Sequence, residues 1–369
     1  MFTKMNKIKV YMQYPWKVSD SQYYKNLLEY PPEGVEYVGN EKEQGMITNT
    51  NQMNFTNFLK RILRRWVHRF RLAILNIRQT PVDKKFDLIH CAHCLSSNNS
   101  PWVADFESSW QMLISDHGKG EGRGKVLKVL KNRNCKKIIA WTESSKRDII
   151  FKYPEIKEKV EVVPHAIPFP KLKKKKKKNI RLLFIGRYFR RKGGLHTLDA
   201  FDKITKKYDN VDAILISPIP KEIKEKYSKN KKLKFYGLIP YEKVIGEIFP
   251  SSDIYVCPGY SDTFGFPFIE ALAFGLPVIT VDGFARKDLI HEGKTGFIIP
   301  LKNKIDPLTI GHNENKIVRE IVKKTSKLIE DKKLREKMSL NCTNIVKKGK
   351  FSIKERNKKL KNIYLNAIK

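Results

Sequence analysis

No stretch of this chain holds the roughly 18 consecutive apolar residues of a membrane span, and the opening MFTKMNKIKVYMQYPW lacks the long apolar core of a secretory signal. A cytoplasmic protein is expected. Cysteine is scarce: five thiols, an odd number scattered over a large chain, suit reduced side chains rather than a disulfide framework. Cys91 and Cys94 form a CxxC beside His90 and His93, but no second CxxC stands at zinc-ribbon spacing, and Cys91 closes the apolar run FDLIHC. No metal is expected there. No Asp-x-Asp pair occurs either, so the familiar carboxylate pair for a divalent cation is missing. Acidic residues are the minority, 38 Asp plus Glu against 74 Lys plus Arg for a formal charge of +36, which favours anionic partners such as phosphates, nucleic acid or acidic lipid headgroups. Base bias in a lysine-rich genome explains part of that excess.

What is present is a globular chain. With 369 residues, 41% hydrophobic and 11% aromatic, it is long enough for two domains with separate cores. Apolar runs of four to six residues alternate with helical patterns throughout, which implies doubly wound parallel sheets. In the first half the runs are KIKVYMQ (7–13), residues 86–91, 102–106, 137–141 and 160–163; in the second they are 180–186, 213–217, 233–236, 254–257 and 277–281.

The stretch 253–281, DIYVCPGYSDTFGFPFIEALAFGLPVITV, organises the second half. It reads as strand, turn, a short helix opening with Pro267, a stop at Gly275 and another strand, since Pro suits a first helical position and Gly an end. That layout turns free backbone N–H groups toward the carboxyl ends of the strands, where an anionic ligand is expected. Two carboxylates frame the helix start, Asp262 in the turn and Glu270 one turn inside. Upstream, IRLLFIG runs into RYFRRKGG and the amphipathic LHTLDAFDKI, a strand, glycine turn and helix start that together form a phosphate cradle with Arg187 and Lys192 at its rim.

These residues carry a resemblance. The Asp262 to Glu270 spacing resembles the E-x7-E signature of retaining, nucleotide-sugar-dependent glycosyltransferases of family 4, with Asp in place of the first Glu. FIEALAFGLPVI is similar to that family's EAMACGVPVI, and Gly186, Arg187 and Lys192 match its G-R-x-x-x-x-K-G. The resemblance implies the GT-B architecture: α/β, two Rossmann-like doubly wound domains facing across a cleft, with a C-terminal crossover helix. It implies that Glu270 holds the ribose hydroxyls of a nucleoside diphosphate sugar, that Asp262 contacts the transferred sugar, and that Arg187 and Lys192 clamp the diphosphate leaving group. Gly186 and the turn residues Phe264, Gly265 and Phe266 complete the implied donor site. The alternative for the carboxylates is that Asp262 caps the turn and Glu270 faces solvent.

The remaining segments are less like the family. VEVVPHAIPFP (160–170) resembles its exit from the first domain, HEGKTGFII (291–299) its G-x-x-G-x-L-V hairpin, and FSIKERNKKLKNIYLNAIK its closing helix. The expected domains are 1–170 for the acceptor, a Lys-rich linker 171–179, 180–345 for the nucleotide sugar, and 346–369 as the returning helix. After the first strand the loop YPWKVSDS lacks the family's Gly-Gly pair. Asp105, Glu107 and His117 are the ionisable candidates for acceptor binding or proton handling, the strand PWVADFE ending in the first two; Glu107 as a helix cap is the alternative.

Residues 57–78, NFLKRILRRWVHRFRLAILNIR, place Phe58, Ile62, Trp66, Phe70 and Ile74 at helical spacing among arginines. Such a helix suits the surface of an anionic membrane; a domain helix with solvated arginines is the other reading. No recognisable RNA or DNA motif accompanies it, so nucleic acid is not the expected partner. The expectation is a retaining, metal-independent transferase without cofactor, whose partners are a nucleotide-sugar donor and a sugar or lipid-linked acceptor, peripheral on the inner face of the membrane. Against it stand a basic membrane- or nucleic-acid-binding protein on a disabled scaffold, and a sugar-nucleotide epimerase on the same fold.

Overall fold

The computed structural model describes residues 7–14, 22–39, 59, 62, 66, 70, 75–80, 85–112, 121–172, 178–260, 264–301 and 314–369. The chain divides into two compact units: Met1–Ile47, Asn51–Ala166 and Lys350–Lys369 form the first, Thr48–Thr50 and Ile167–Gly349 the second. Both are parallel α/β sheets.

In the first unit the strands are β1 (Ile8–Gln13), β2 (Val35–Val38), β4 (Leu88–Ala92), β6 (Trp102–Phe106), β7 (Cys135–Ala140) and β8 (Val160–Val162), in the order β2-β1-β4-β6-β7-β8. A two-stranded parallel pair joins β3 (Ile77–Arg78) to β5 (Leu95–Ser96). β4 and β6 are buried along their whole length, which explains why they read as continuous apolar runs rather than alternating ones. The connecting helices are α1 (Gln22–Glu29), α2 (Glu121–Lys131) and α3 (Glu143–Lys152). Thr142 caps α3, its side chain accepting from the Ser145 amide at 3.0 Å. Trp102, Phe106, Ile138, Ile149 and Tyr153 form the centre of the core.

The second unit has β9 (Ile180–Ile185), β10 (Val211–Ile216), β11 (Leu233–Tyr236), β12 (Ile254–Val256), β13 (Val278–Val281) and β14 (Gly296–Ile299), ordered β11-β10-β9-β12-β13-β14. Its helices are α4 (Gly194–Lys207), α5 (Lys221–Lys226), α6 (Tyr241–Lys243), α7 (Phe266–Ala273), α8 (Arg286–Leu289), α9 (Glu314–Glu330) and α10 (Lys332–Lys347). α4 buries Leu198, Phe201, Ile204 and Thr205, a stripe at helical period, and α9 packs against it. The sequence predicts a hairpin at 291–299; the structure has instead a tight turn followed by β14, which runs parallel to β13 with Val278 opposite Gly296. Gly296 is required there, because a Cβ would sit 2.0 Å from the Val278 carbonyl oxygen.

The last helix, α11 (Ile353–Ala367), belongs to the first unit. Its Arg356, fully buried, donates to the carbonyls of Asn26 at 3.2 Å and of Tyr30, the open C-terminal end of α1. Tyr364 in turn meets His90 Nδ1 at 2.6 Å and the Tyr37 hydroxyl at 3.0 Å. Among the described residues no helix is long and apolar enough to cross a membrane. The basic segment 57–78 lies mostly outside the described residues; of those within them, Leu59, Trp66 and Phe70 are exposed, the two rings 5.6 Å apart.

Candidate functional site

Chain order reverses between β9 and β12. From β9 the chain moves outward to β10 and β11, and from β12 it moves the other way to β13 and β14. The carboxyl ends of these two strands therefore open at a topological switch point, where the connecting loops diverge and leave a crevice. The loop after β9 carries Gly186, Arg187 and Lys192 and ends in α4. The loop after β12 ends in α7.

The two loops are built against each other. The Gly259 amide donates to the Lys192 carbonyl at 3.0 Å. Gly193 has a left-handed backbone, φ 79°, and a Cβ on it would stand 2.6 Å from Cβ of Pro258. Conformation and close approach both demand glycine there. Gly186 is buried under Lys192, whose Cβ would lie 2.9 Å from an added Cβ. Gly193 is also the N-cap of α4 and Gly265, φ 86°, that of α7, and neither helix start has a side-chain cap. Two helix N-termini with their partial positive charge thus meet the switch point, flanked by exposed Arg187 and half-buried Lys192. An anion fits this arrangement.

Glu270 sits one turn inside α7, 5% exposed, and its Oε1 accepts from the Tyr241 hydroxyl at 2.9 Å. Burial pushes its carboxyl up to about 7, with the Tyr241 hydrogen bond opposing the rise. The alternative of a solvent-facing Glu270 is excluded by this burial. Phe264 is buried, Gly265 turns the chain, and half-buried Phe266 opens the helix. Asp262 lies outside the described residues, as does His117.

Sequence reasoning missed the side chain that braces this turn. Arg286, 1% exposed, donates to the carbonyls of Gly259 at 2.9 Å and Phe264 at 3.3 Å, and its guanidinium lies 4.3 Å from the Phe268 ring centroid. One fork therefore holds both flanks of the loop. Nothing distinguishes it from the other lysines and arginines in the sequence. Tyr260 and His196, hydrogen-bonded at 2.8 Å, add a second tie between the turn and the first turn of α4.

In the first unit the corresponding strand ends gather His93, Asp105 and Glu107. Asp105 is 1% exposed; it accepts from the Tyr24 hydroxyl at 2.9 Å, and Nε2 of His90 lies 3.3 Å away. Burial alone would push its carboxyl up; His90 and then His93 outweigh that and hold it below the ordinary range. Asp105 is thus held inside a network, whereas Glu107, two residues on, is half-buried and has its amide tied to Gln111 Oε1 at 3.0 Å. His93, which the sequence singled out only as a flank of the CxxC, has a left-handed backbone, φ 53°, and bonds Gln111 Oε1 through Nδ1 at 2.7 Å. The Cys91 and Cys94 thiols are buried, donating to the side chain and carbonyl of Gln13 at 3.2 and 3.3 Å. Among the described residues no cluster of His, Cys, Asp and Glu is disposed to hold a metal.

Residues 168–309, within the second unit, match the family described as glycosyl transferases group 1. Curated relatives include a phosphatidyl-myo-inositol mannosyltransferase from Mycobacterium leprae, 26% identical over 37% of this chain and 36% of its own length. Another is a UDP-Gal:alpha-D-GlcNAc-diphosphoundecaprenol alpha-1,3-galactosyltransferase from Escherichia coli, 25% identical over 57% of this chain and 55% of its own. The chain thus spans about a third to a half of the length of these relatives. Among solved structures, Anabaena Alr3699/HepE in complex with UDP-glucose superposes with a TM-score of 0.59 at 14% identity, over 96% of this chain and 98% of that one. The fold is the two-domain α/β architecture known as GT-B.

Proposed function

We propose that the protein is a retaining glycosyltransferase that moves a sugar from a nucleoside diphosphate sugar to a hydroxyl acceptor. The observation that carries this reading is the switch point of the second unit, where two uncapped helix starts, a glycine cradle and a buried carboxylate are fixed together. The negative charge of a diphosphate suits the positive ends of the two helix starts and the side chains of Arg187 and Lys192 beside them, and a ribose supplies hydroxyls for Glu270. Gly186, Phe264, Gly265 and Phe266 shape the wall of that donor site, and Asp262 contacts the transferred sugar.

In the transfer, the bond from the anomeric carbon to the diphosphate oxygen breaks while the acceptor oxygen attacks from the same face. The departing phosphate takes the acceptor proton. Charge on the leaving group is stabilised by Arg187, Lys192 and the helix starts, which is the role a divalent cation plays elsewhere, so no metal is required. Glu107, half-buried at a strand end of the first unit, is the residue we assign to the acceptor, with Asp105 and His117 as the further candidates.

The acceptor is lipid-linked or membrane-proximal. Exposed Leu59, Trp66 and Phe70 within an arginine-rich segment support peripheral attachment to an anionic membrane, on its cytoplasmic face. Both relatives named above act, by name, on lipid-bound acceptors. UDP is the nucleotide of the Anabaena complex and is the first to try.

The test is release of nucleoside diphosphate from UDP-, GDP- and ADP-sugars with EDTA present, comparing the protein with Glu270→Ala and Arg187→Ala. Turnover of one donor that collapses in both variants is expected. A donor that is bound but not consumed calls for added lipid extract, and failure to bind or consume any donor overturns the reading.

A further inference from the structure

Glu270 is a buried carboxylate that has no cationic partner among the described residues. Among the described residues its hydrogen-bond donor is a neutral phenol, Tyr241 Oη at 2.9 Å from Oε1, and no Lys, Arg or His forms an ion pair with it. A carboxylate has about four lone-pair positions, and a buried one left short of donors is costly. One oxygen is committed to Tyr241, and the other has capacity to spare.

Topology brings the two residues together. Tyr241 opens α6 directly after β11, so it stands at the carboxyl ends of the strands; Glu270 stands one turn into α7 on the same side. The helix after Tyr241 is irregular, passing at Val244–Ile248 into a π-turn and at Phe249–Ser251 into a 3-10 turn. Single π-turns are often found beside functional sites. Burial, and then the Glu270 charge, hold the Tyr241 phenol far above its ordinary range, so the hydroxyl keeps its proton and remains a donor.

We propose that Tyr241 is the positioning residue of the donor site: its hydroxyl anchors one oxygen of Glu270 so that the other receives the vicinal hydroxyls of the donor ribose. This rests on the reading of Glu270 given above. The consequence is that selectivity for a ribose diol depends on a residue that itself touches no substrate. A phenol suits the task because it orients the carboxylate without neutralising it, whereas a lysine in its place would compete for the oxygens the diol needs.

The experiment is calorimetric binding of UDP, GDP and ADP, and of their 2′,3′-dideoxy forms, to the full chain and to its Tyr241→Phe and Glu270→Ala variants. Phenylalanine keeps the ring and removes only the hydroxyl. Tyr241→Phe is expected to weaken the bound ribonucleotide about fivefold to tenfold and to leave its dideoxy form unchanged. Glu270→Ala is expected to abolish the preference altogether. If Tyr241→Phe weakens both forms equally, or leaves the ribonucleotide untouched while Glu270→Ala removes the preference, the proposal is overturned and the reading of Glu270 stands. If Glu270→Ala leaves the ribose preference intact, or no nucleotide binds, the reading itself fails and the proposal with it.

Discussion

Glu270 is a residue kept at a cost to the fold. Its carboxyl titrates at about 7 rather than at the ordinary 4.5, so the folded chain binds a proton that the unfolded chain has already lost. Stability therefore falls as pH rises from about 4.5 to 7, and the full penalty is present above that range. Glu270→Gln mimics the neutral acid. In urea titrations it is expected to exceed the parent by up to roughly 3 kcal/mol at pH 8, with the gap closing toward pH 4.5. Arg286 works in the opposite direction. Its removal leaves the Gly259 and Phe264 carbonyls without their donor and empties the space over Phe268, so Arg286→Ala should lose about 2–4 kcal/mol. Denaturant unfolding measures this directly. The two residues differed in legibility: Glu270 stands out as the one charge in an apolar helix, while Arg286 is one basic residue among 74.

At the scale of elements, α11 shows how a polar sequence binds a helix in place. NIYLNA looks amphipathic and little more, yet Tyr364 joins His90 and Tyr37 inside the first unit, and Arg356 closes α1. Tyr364→Phe keeps the ring and removes both hydrogen bonds. It should cost about 1–3 kcal/mol, read as a lower melting temperature for the first unit with the second unchanged. The elements facing the candidate site were legible because β9, α4, β12 and α7 each have strong local signals: apolar runs, glycine turns and a proline at a helix start. The 291–299 segment was misread because a glycine turn before an apolar run looks the same whether the next strand returns antiparallel or adds to a parallel edge. Pairing with β13 is a long-range choice.

At the scale of the molecule, two units with separate cores imply two thermal transitions, and only the second should respond to nucleotide. At 100 times its dissociation constant a nucleoside diphosphate should stabilise that unit by about 2.7 kcal/mol, and calorimetric scans with and without UDP resolve the shift. The excess of positive charge acts on the whole surface, but Leu59, Trp66 and Phe70 are apolar and exposed in one segment. Replacing Trp66 and Phe70 together by Ser should lower cosedimentation with phosphatidylglycerol vesicles about tenfold, with transferase turnover on a soluble acceptor retained. A variant that sediments like its parent would remove the membrane attachment.

The sequence alone determined the central strands of both sheets and the helices that follow β9 and β12, where the glycines must turn the chain, and which acidic and basic residues stand near a helix start. Those features depend on neighbours a few residues away, so they are written locally. The tertiary structure decided the rest. It set β9 beside β12, closed Gly193 on Pro258, buried Asp105 against His90, brought Tyr241 to Glu270 across 29 positions and Arg286 to both flanks of a turn. Each is a contact between distant segments whose energy comes from burial and hydrogen bonding that exist only once the sheet has formed.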